Sequence, residues 1–181
     1  KNMIKNMKSF VSGMCETNSY ILSDEDNNCV IFDPEGSSAQ YINYIKANNI
    51  KPLAIMLTHA HFDHVGALRN FLTKRSIKIF KKSNCNEEKY TIGDFNFEVI
   101  YTPGHANDQI AFYFAEDKAM FSGDFIFKES IGRCDLPGGS EPDMAKSLEK
   151  IKTYAKDIVI YPGHGDKTTI GYELENNEFL R

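Results

Sequence analysis

No stretch of this chain is apolar for long enough to span a bilayer, and Lys1-Asn2-Met3-Ile4-Lys5 lacks the apolar core of a secretory signal. There is no CxxC pair. Cys15, Cys29, Cys85 and Cys134 are scattered, which fits free thiols in a reducing cytosol better than a disulfide framework. Internal repeats, low-complexity tracts and Pro/Gly-rich linkers are absent as well. Basic excess is missing too: the net charge of −4 argues against nucleic acid as a partner. The single basic run, Lys74, Arg75, Lys78, Lys81 and Lys82, reads as a solvated face. These absences leave a cytoplasmic globular protein with no membrane or nucleic-acid partner. Its 181 residues suffice for one domain with a substantial core.

Histidine is scarce, and its placement is the chief lead. All five copies lie in or beside short motifs suited to metal ligation. Three fall in Thr58-His59-Ala60-His61-Phe62-Asp63-His64, one closes Thr102-Pro103-Gly104-His105, and one closes Tyr161-Pro162-Gly163-His164. Imidazole is the commonest protein ligand for transition metals.

Periodicity places these motifs in an α/β domain of layered sheets and helices. Ser19-Tyr20-Ile21-Leu22 and Cys29-Val30-Ile31-Phe32 read as strands. Ser38 is expected to cap a helix carrying Ile42 and Ile45. Ser140-Glu141-Pro142-Asp143 has the form of a capping box, followed at helical spacing by Met144, Leu148, Ile151 and Ala155. Four further apolar segments each end just before a potential ligand. Leu53-Ala54-Ile55-Met56-Leu57 precedes His59, and the alternating run from Phe95 to Tyr101 precedes His105. Ala119-Met120-Phe121 precedes Ser122-Gly123-Asp124, and Ile158-Val159-Ile160-Tyr161 precedes His164. Rigid strands fix the short loops beyond them, so one shared metal site explains the pattern simply.

Close spacing lets His59 and His61 approach one ion while Asp63 and His64 turn toward another. Nitrogen and carboxylate donors suit zinc, iron or manganese, whereas calcium wants oxygen alone. No cysteine lies in these motifs, which points to a catalytic site with an open position rather than a closed structural one.

The heptapeptide from Thr58 to His64 resembles the THxHxDH signature of the metallo-β-lactamase superfamily. Thr102-Pro103-Gly104-His105, Ser122-Gly123-Asp124 and Pro162-Gly163-His164-Gly165 follow in that superfamily's order and spacing. Ser130-Ile131-Gly132-Arg133-Cys134-Asp135-Leu136-Pro137-Gly138-Gly139 is similar to a segment of small single-domain bacterial glyoxalase II-like (hydroxyacylglutathione hydrolase-like) proteins. The segment from Thr168-Thr169-Ile170-Gly171 to Asn176-Asn177-Glu178-Phe179-Leu180 resembles the same subgroup. The resemblance implies an αββα sandwich over residues 1–181, a single domain without the C-terminal helical domain of full-length glyoxalase II. It implies two divalent metal ions, zinc first, with iron or manganese as alternatives. His59, His61 and His105 would bind one ion, Asp63, His64 and His164 the other, and Asp124 would bridge them. Asp33 would orient a ligand histidine.

The implied activity is hydrolysis of a small-molecule thioester such as S-lactoylglutathione by a metal-bridging hydroxide, with Asp63 and Asp124 as catalytic ligands. A thiolate leaving group, with a parent pKa of roughly 8.5, departs without a dedicated general acid. Arg133 is the expected contact for the carboxylates of a glutathione-like thiol, with an ion pair to Asp135 as its other reading. The chain departs from the subgroup at Ala106-Asn107-Asp108-Gln109 and at Asp33-Pro34-Glu35-Gly36, changes expected to alter the pocket walls. A mononuclear-iron persulfide dioxygenase is the rival reading, as is a hydrolase of another ester or thioester. A β-lactamase is disfavoured because those enzymes lack the bridging aspartate.

Overall fold

The computed structural model describes residues 2–59 and 66–181, of which 66 and 67 only by backbone. Two sheets lie face to face. The first contains β1 (Asn6–Ser12), β2 (Thr17–Ser23), β3 (Asn28–Phe32), β4 (Lys51–Met56) and β5 (Lys78–Phe80), side by side in that order. The second is built from β6 (Lys89–Ile92), β7 (Phe95–Tyr101), β8 (Ile110–Phe114) and β9 (Ala119–Gly123). A small ribbon of β10 (Ile126–Phe127) and β11 (Ser130–Ile131) leads on to β12 (Val159–Pro162) and β13 (Thr168–Thr169), giving the sheet order β13-β12-β9-β8-β7-β6.

Apolar side chains explain why the layers stack. One face of each sheet turns inward, where Phe32, Phe112, Phe114 and Phe121 pack with Tyr20, Val30, Met56 and Val99. Phe32 stacks on Phe121 at 4.2 Å between ring centroids, and Phe121 stacks on Tyr161 at 5.1 Å. The outer face of the first sheet carries Ile21, Ile31 and Ile55. It is covered by α1 (Ser38–Ala47) and α2 (Gly66–Thr73) through Tyr41, Ile45, Leu68 and Leu72. The outer face of the second carries Ile100, Met120 and Ile160. There α3 (Glu141–Ile151) supplies Met144, Leu148 and Ile151, and α4 (Ile170–Asn176) supplies Ile170. Helices outside and sheets within make an αββα sandwich, as expected.

Both expected helices form, with boundary corrections. The cap of α1 is Ser37 rather than Ser38, and its side chain makes no capping hydrogen bond. At α3, Ser140 Oγ accepts from Asp143 N at 3.2 Å. That helix ends at Ile151, so Ala155 lies beyond it.

Topology settles where the strand ends go. β3, β4 and β5 run parallel, as do β9 and β12, while β8 is antiparallel to both β7 and β9. Thus β3 and β4 point one way in their sheet, and β7, β9 and β12 share one direction in theirs. The segments after their carboxyl ends hold Asp33, His59, His105, Asp124 and His164, the arrangement that convergence requires.

Candidate metal centre

Asp124 follows β9 directly, is nine-tenths buried, and presents one oxygen to each of two histidines. His105 Nε2 lies 3.2 Å from Asp124 Oδ2, and His164 Nε2 lies 3.2 Å from Asp124 Oδ1. His59 closes the group, its ring centroid 6.4 Å from that of His105. His61, Asp63 and His64 lie outside the described residues.

Each histidine is held by its other nitrogen. His105 Nδ1 is 2.8 Å from the Arg133 carbonyl, and His164 Nδ1 is 2.8 Å from the Cys15 carbonyl. A carbonyl can only accept, so each Nδ1 carries the proton and each Nε2 offers its lone pair in the neutral ring. His59 follows the same rule through Thr58. Thr58 Oγ1 donates to Asp33 Oδ2 at 2.7 Å, so it accepts from His59 Nδ1 at 3.0 Å. The Thr58 amide also donates to Asp33 Oδ1 at 2.8 Å. Asp33 therefore reaches His59 through Thr58 rather than directly. Three imidazoles fixed by acceptors at Nδ1 leave Nε2 of each as a candidate donor to a metal.

This donor set fits a metal. Asp124 Oδ1 is buried and makes no directed hydrogen bond among the described residues, although the His164 ring is within ion-pair distance. Burial favours the neutral Asp124 acid, yet His105, His164 and His59 together hold it below the usual carboxylate range. The carboxylate raises both imidazoles in return, His164 to about 8. Burial pushes the Asp33 carboxyl up, countered by His59 and the two Thr58 hydrogen bonds. An anionic carboxylate and imidazole nitrogens that a metal can take over from their protons, converging in a partly buried site, suit zinc, iron or manganese.

Glycine keeps the loops close. A Cβ on Gly163 would fall 2.5 Å from Asp124 Oδ1, and one on Gly132 only 1.9 Å from the Asp124 carbonyl oxygen. The 162–165 loop is also tied to the first sheet. Asn18 N donates to Gly163 O at 2.7 Å, Asn18 Nδ2 to Gly165 O at 2.8 Å, and Tyr20 Oη to Pro162 O at 2.7 Å. A site lying between the sheets thus inherits its rigidity from both.

Gln109 is a correction to the expectation about pocket walls. It is fully buried and donates to the Ser122 carbonyl at 3.1 Å, bracing the Asp124 loop from behind. Arg133 adopts the ion-pair reading: its Nε and Nη2 donate to the two Asp135 oxygens at 2.7 and 2.8 Å. Both side chains are exposed, and they border a cavity of about 690 Å³ lined also by Ile131, Met144, Leu148 and Phe179. The basic run is engaged piecemeal: Arg75 lies over the Phe71 ring, and Lys82 Nζ donates to the Asn107 carbonyl at 2.6 Å. All four cysteines are free thiols. Among the described residues, no helix is long and apolar enough to cross a membrane.

The family model described as the metallo-beta-lactamase superfamily matches residues 12–84 and 85–164. The "Probable metallo-hydrolase YqgX" of Bacillus subtilis is 32% identical over 93% of this chain and 94% of its own. The "Hydroxyacylglutathione hydrolase GloC" of Haemophilus influenzae is 29% identical over 91% and 93%. Among solved structures, BLEG-1 B3 metallo-beta-lactamase superposes with a TM-score of 0.89 at 34% identity, covering 97% of this chain and 99% of its own. TTHA1623 in a di-iron-bound form superposes with a TM-score of 0.83 at 28% identity, over 96% and 100%.

Proposed function

The chain belongs to the metallo-beta-lactamase superfamily as a metal-dependent hydrolase, and we propose that it is a two-metal enzyme that cleaves a thioester of a small acidic thiol. The observation that carries this reading is Asp124, whose two oxygens each face a different histidine. A carboxylate so placed would serve both halves of a paired centre, which His59, His61 and His105 would hold on one side and Asp63, His64 and His164 on the other. When bound, two divalent ions of zinc, iron or manganese supply a hydroxide at neutral pH and Lewis acidity at the carbonyl.

The residues do the positioning. Thr58, Arg133 and Cys15 hold three imidazoles in one tautomer, so no ring must turn or shed its Nδ1 proton as ligand exchange occurs. Overall, water adds to the thioester carbon, the C–S bond breaks, and a carboxylate, a thiol and a proton result. The thiolate leaves at neutral pH without an acid, consistent with a site built from ligands alone. The resemblance of the Ser130–Gly139 segment to glyoxalase II-like proteins and the likeness to the hydroxyacylglutathione hydrolase support the acyl thioester as substrate.

Arg133 is the proposed grip on the thiol's carboxylate. Its pair with Asp135 is exposed, and solvent screens such pairs so that they hold their partners only weakly. A substrate carboxylate can therefore take the place of Asp135 at little cost. Arg133→Ala is expected to raise KM about tenfold with kcat and metal content kept. An unchanged KM would remove the contact.

The test of the activity is a substrate panel on protein of measured metal content, led by S-lactoylglutathione and including a cephalosporin and glutathione persulfide. The expected result is close to two metal ions per chain and thioester turnover well above that of the other two. One iron per chain with oxygen uptake on the persulfide would overturn it, as would turnover of the β-lactam alone.

A further inference from the structure

A second cluster of potential ligands lies at the opposite edge of the sandwich. Asp24 and Asp26 sit in the turn between β2 and β3, and Asp94 sits in the hairpin between β6 and β7. One carboxylate oxygen from each lies within 4.8 Å of the others. β3 separates this turn from Asp33 at the centre, which is about 16 Å of strand. The two turns belong to different sheets, so the cluster spans the seam between them.

Three acidic groups near one another are not in themselves a site, but Asp24 is unusual. It is 2% exposed. Its Oδ1 accepts from the amides of Asp26 and Asn28, both at 2.9 Å. Its Oδ2 is buried with no hydrogen-bond partner among the described residues. A buried carboxylate oxygen without a partner is costly. With Oδ1 spent on the turn, Oδ2 is the donor left for a ligand. Asp26 and Asp94, both exposed, each bring a carboxylate oxygen within 4.8 Å of one of the Asp24 carboxylate, on the side open to a cation from solvent.

The geometry points to a site for a hard divalent cation, of the calcium class, held by Asp24, Asp26 and Asp94 and completed by water. Oxygen donors alone suit calcium, in contrast to the imidazoles of the catalytic centre. The ion would satisfy Asp24 Oδ2 and clip a turn of the first sheet to a hairpin of the second. Its contribution is to stability, away from the chemistry.

The experiment uses the metal-loaded protein, so that the catalytic centre is already filled, and titrates calcium chloride. Calorimetry is expected to find one calcium per chain, in the weak range of about 10⁻⁴–10⁻³ M, since few protein ligands hold the ion and water completes its shell. Tm should rise by about 5 °C at saturation. Asp24→Asn risks the turn itself, so the variants are Asp26→Asn and Asp94→Asn, both at exposed turn positions. Each should weaken calcium binding at least tenfold and cancel most of the Tm rise, with hydrolytic rate unchanged. No calcium heat and no Tm rise in the wild type at about 10 mM calcium would overturn the proposal. Equal calcium affinity in the wild type and both variants would overturn it as well, by placing the ion elsewhere.

Discussion

Asp124→Ala is expected to lose one metal ion per chain and at least about 10³-fold in kcat/KM, the largest effect of any single substitution in the protein. The carboxylate is the group that both His105 and His164 face, one at each oxygen. Removing it leaves two cation-binding histidines without their shared anion in a partly buried site. Metal analysis and steady-state kinetics on the same preparation check this. Two ions per chain with full activity would show that Asp124 is no bridge. A second readout separates the ligand role from mere packing. In the metal-free protein, pairing with Asp124 raises His164 from 6.5 to about 8. A folded-state pKa raised above the unfolded one stabilises the fold fully below about pH 6.5, and that stabilisation is lost as pH climbs through about 8. The metal-free wild type should therefore lose Tm over this interval. Metal-free Asp124→Ala should lose markedly less, because its His164 no longer has the carboxylate that raises it. The same slope in both proteins would mean that the pair does not form.

Strand ends were legible because burial writes itself into periodicity. The apolar runs mark β2, β3, β4, β7, β9 and β12 at least in part, and the candidate ligands do lie just beyond β4, β7, β9 and β12. The order of strands was not legible, since pairing partners leave no mark on a single sequence. It is the parallel running of β3 with β4 and of β9 with β12 that brings the ends together. Candidate ligands are legible in residue type, but the groups that hold them are not. His164 is anchored by the carbonyl of Cys15, 149 positions away, and His105 by the carbonyl of Arg133, 28 positions away. Any residue supplies a carbonyl, so neither anchor has a signature. Gln109 misled for the same reason: a polar residue beside a ligand motif resembles a pocket wall, and only the fold shows it buried against Ser122. Asp24 was passed over altogether, because a turn aspartate looks ordinary until the opposite hairpin brings Asp94 to it.

Thr58 did carry a signal, as the first residue of the His-rich motif, and its test gives the second large effect. Thr58→Val keeps the shape and removes the hydroxyl that joins His59 Nδ1 to Asp33 Oδ2. Three consequences follow from that one atom. His59 loses the acceptor that fixes its tautomer, so Nδ1 and Nε2 compete for the proton. Asp33, buried and already pushed up, loses a hydrogen bond that favours its charged form. The Thr58 amide remains as a tie to Asp33 among the described residues. Losses of this kind behind a ligand histidine cost about 10–100-fold in metal affinity or activity. Thr58→Val is therefore expected to lower metal affinity by about that factor, measured by competition with a chelator, and activity should recover as metal is added in excess. Thr58→Ser retains the hydroxyl and should stay within about threefold of wild type. Serine and valine variants that fall together would show that the methyl group matters and the hydroxyl does not, and the Asp33–Thr58–His59 relay would then be only a packing contact.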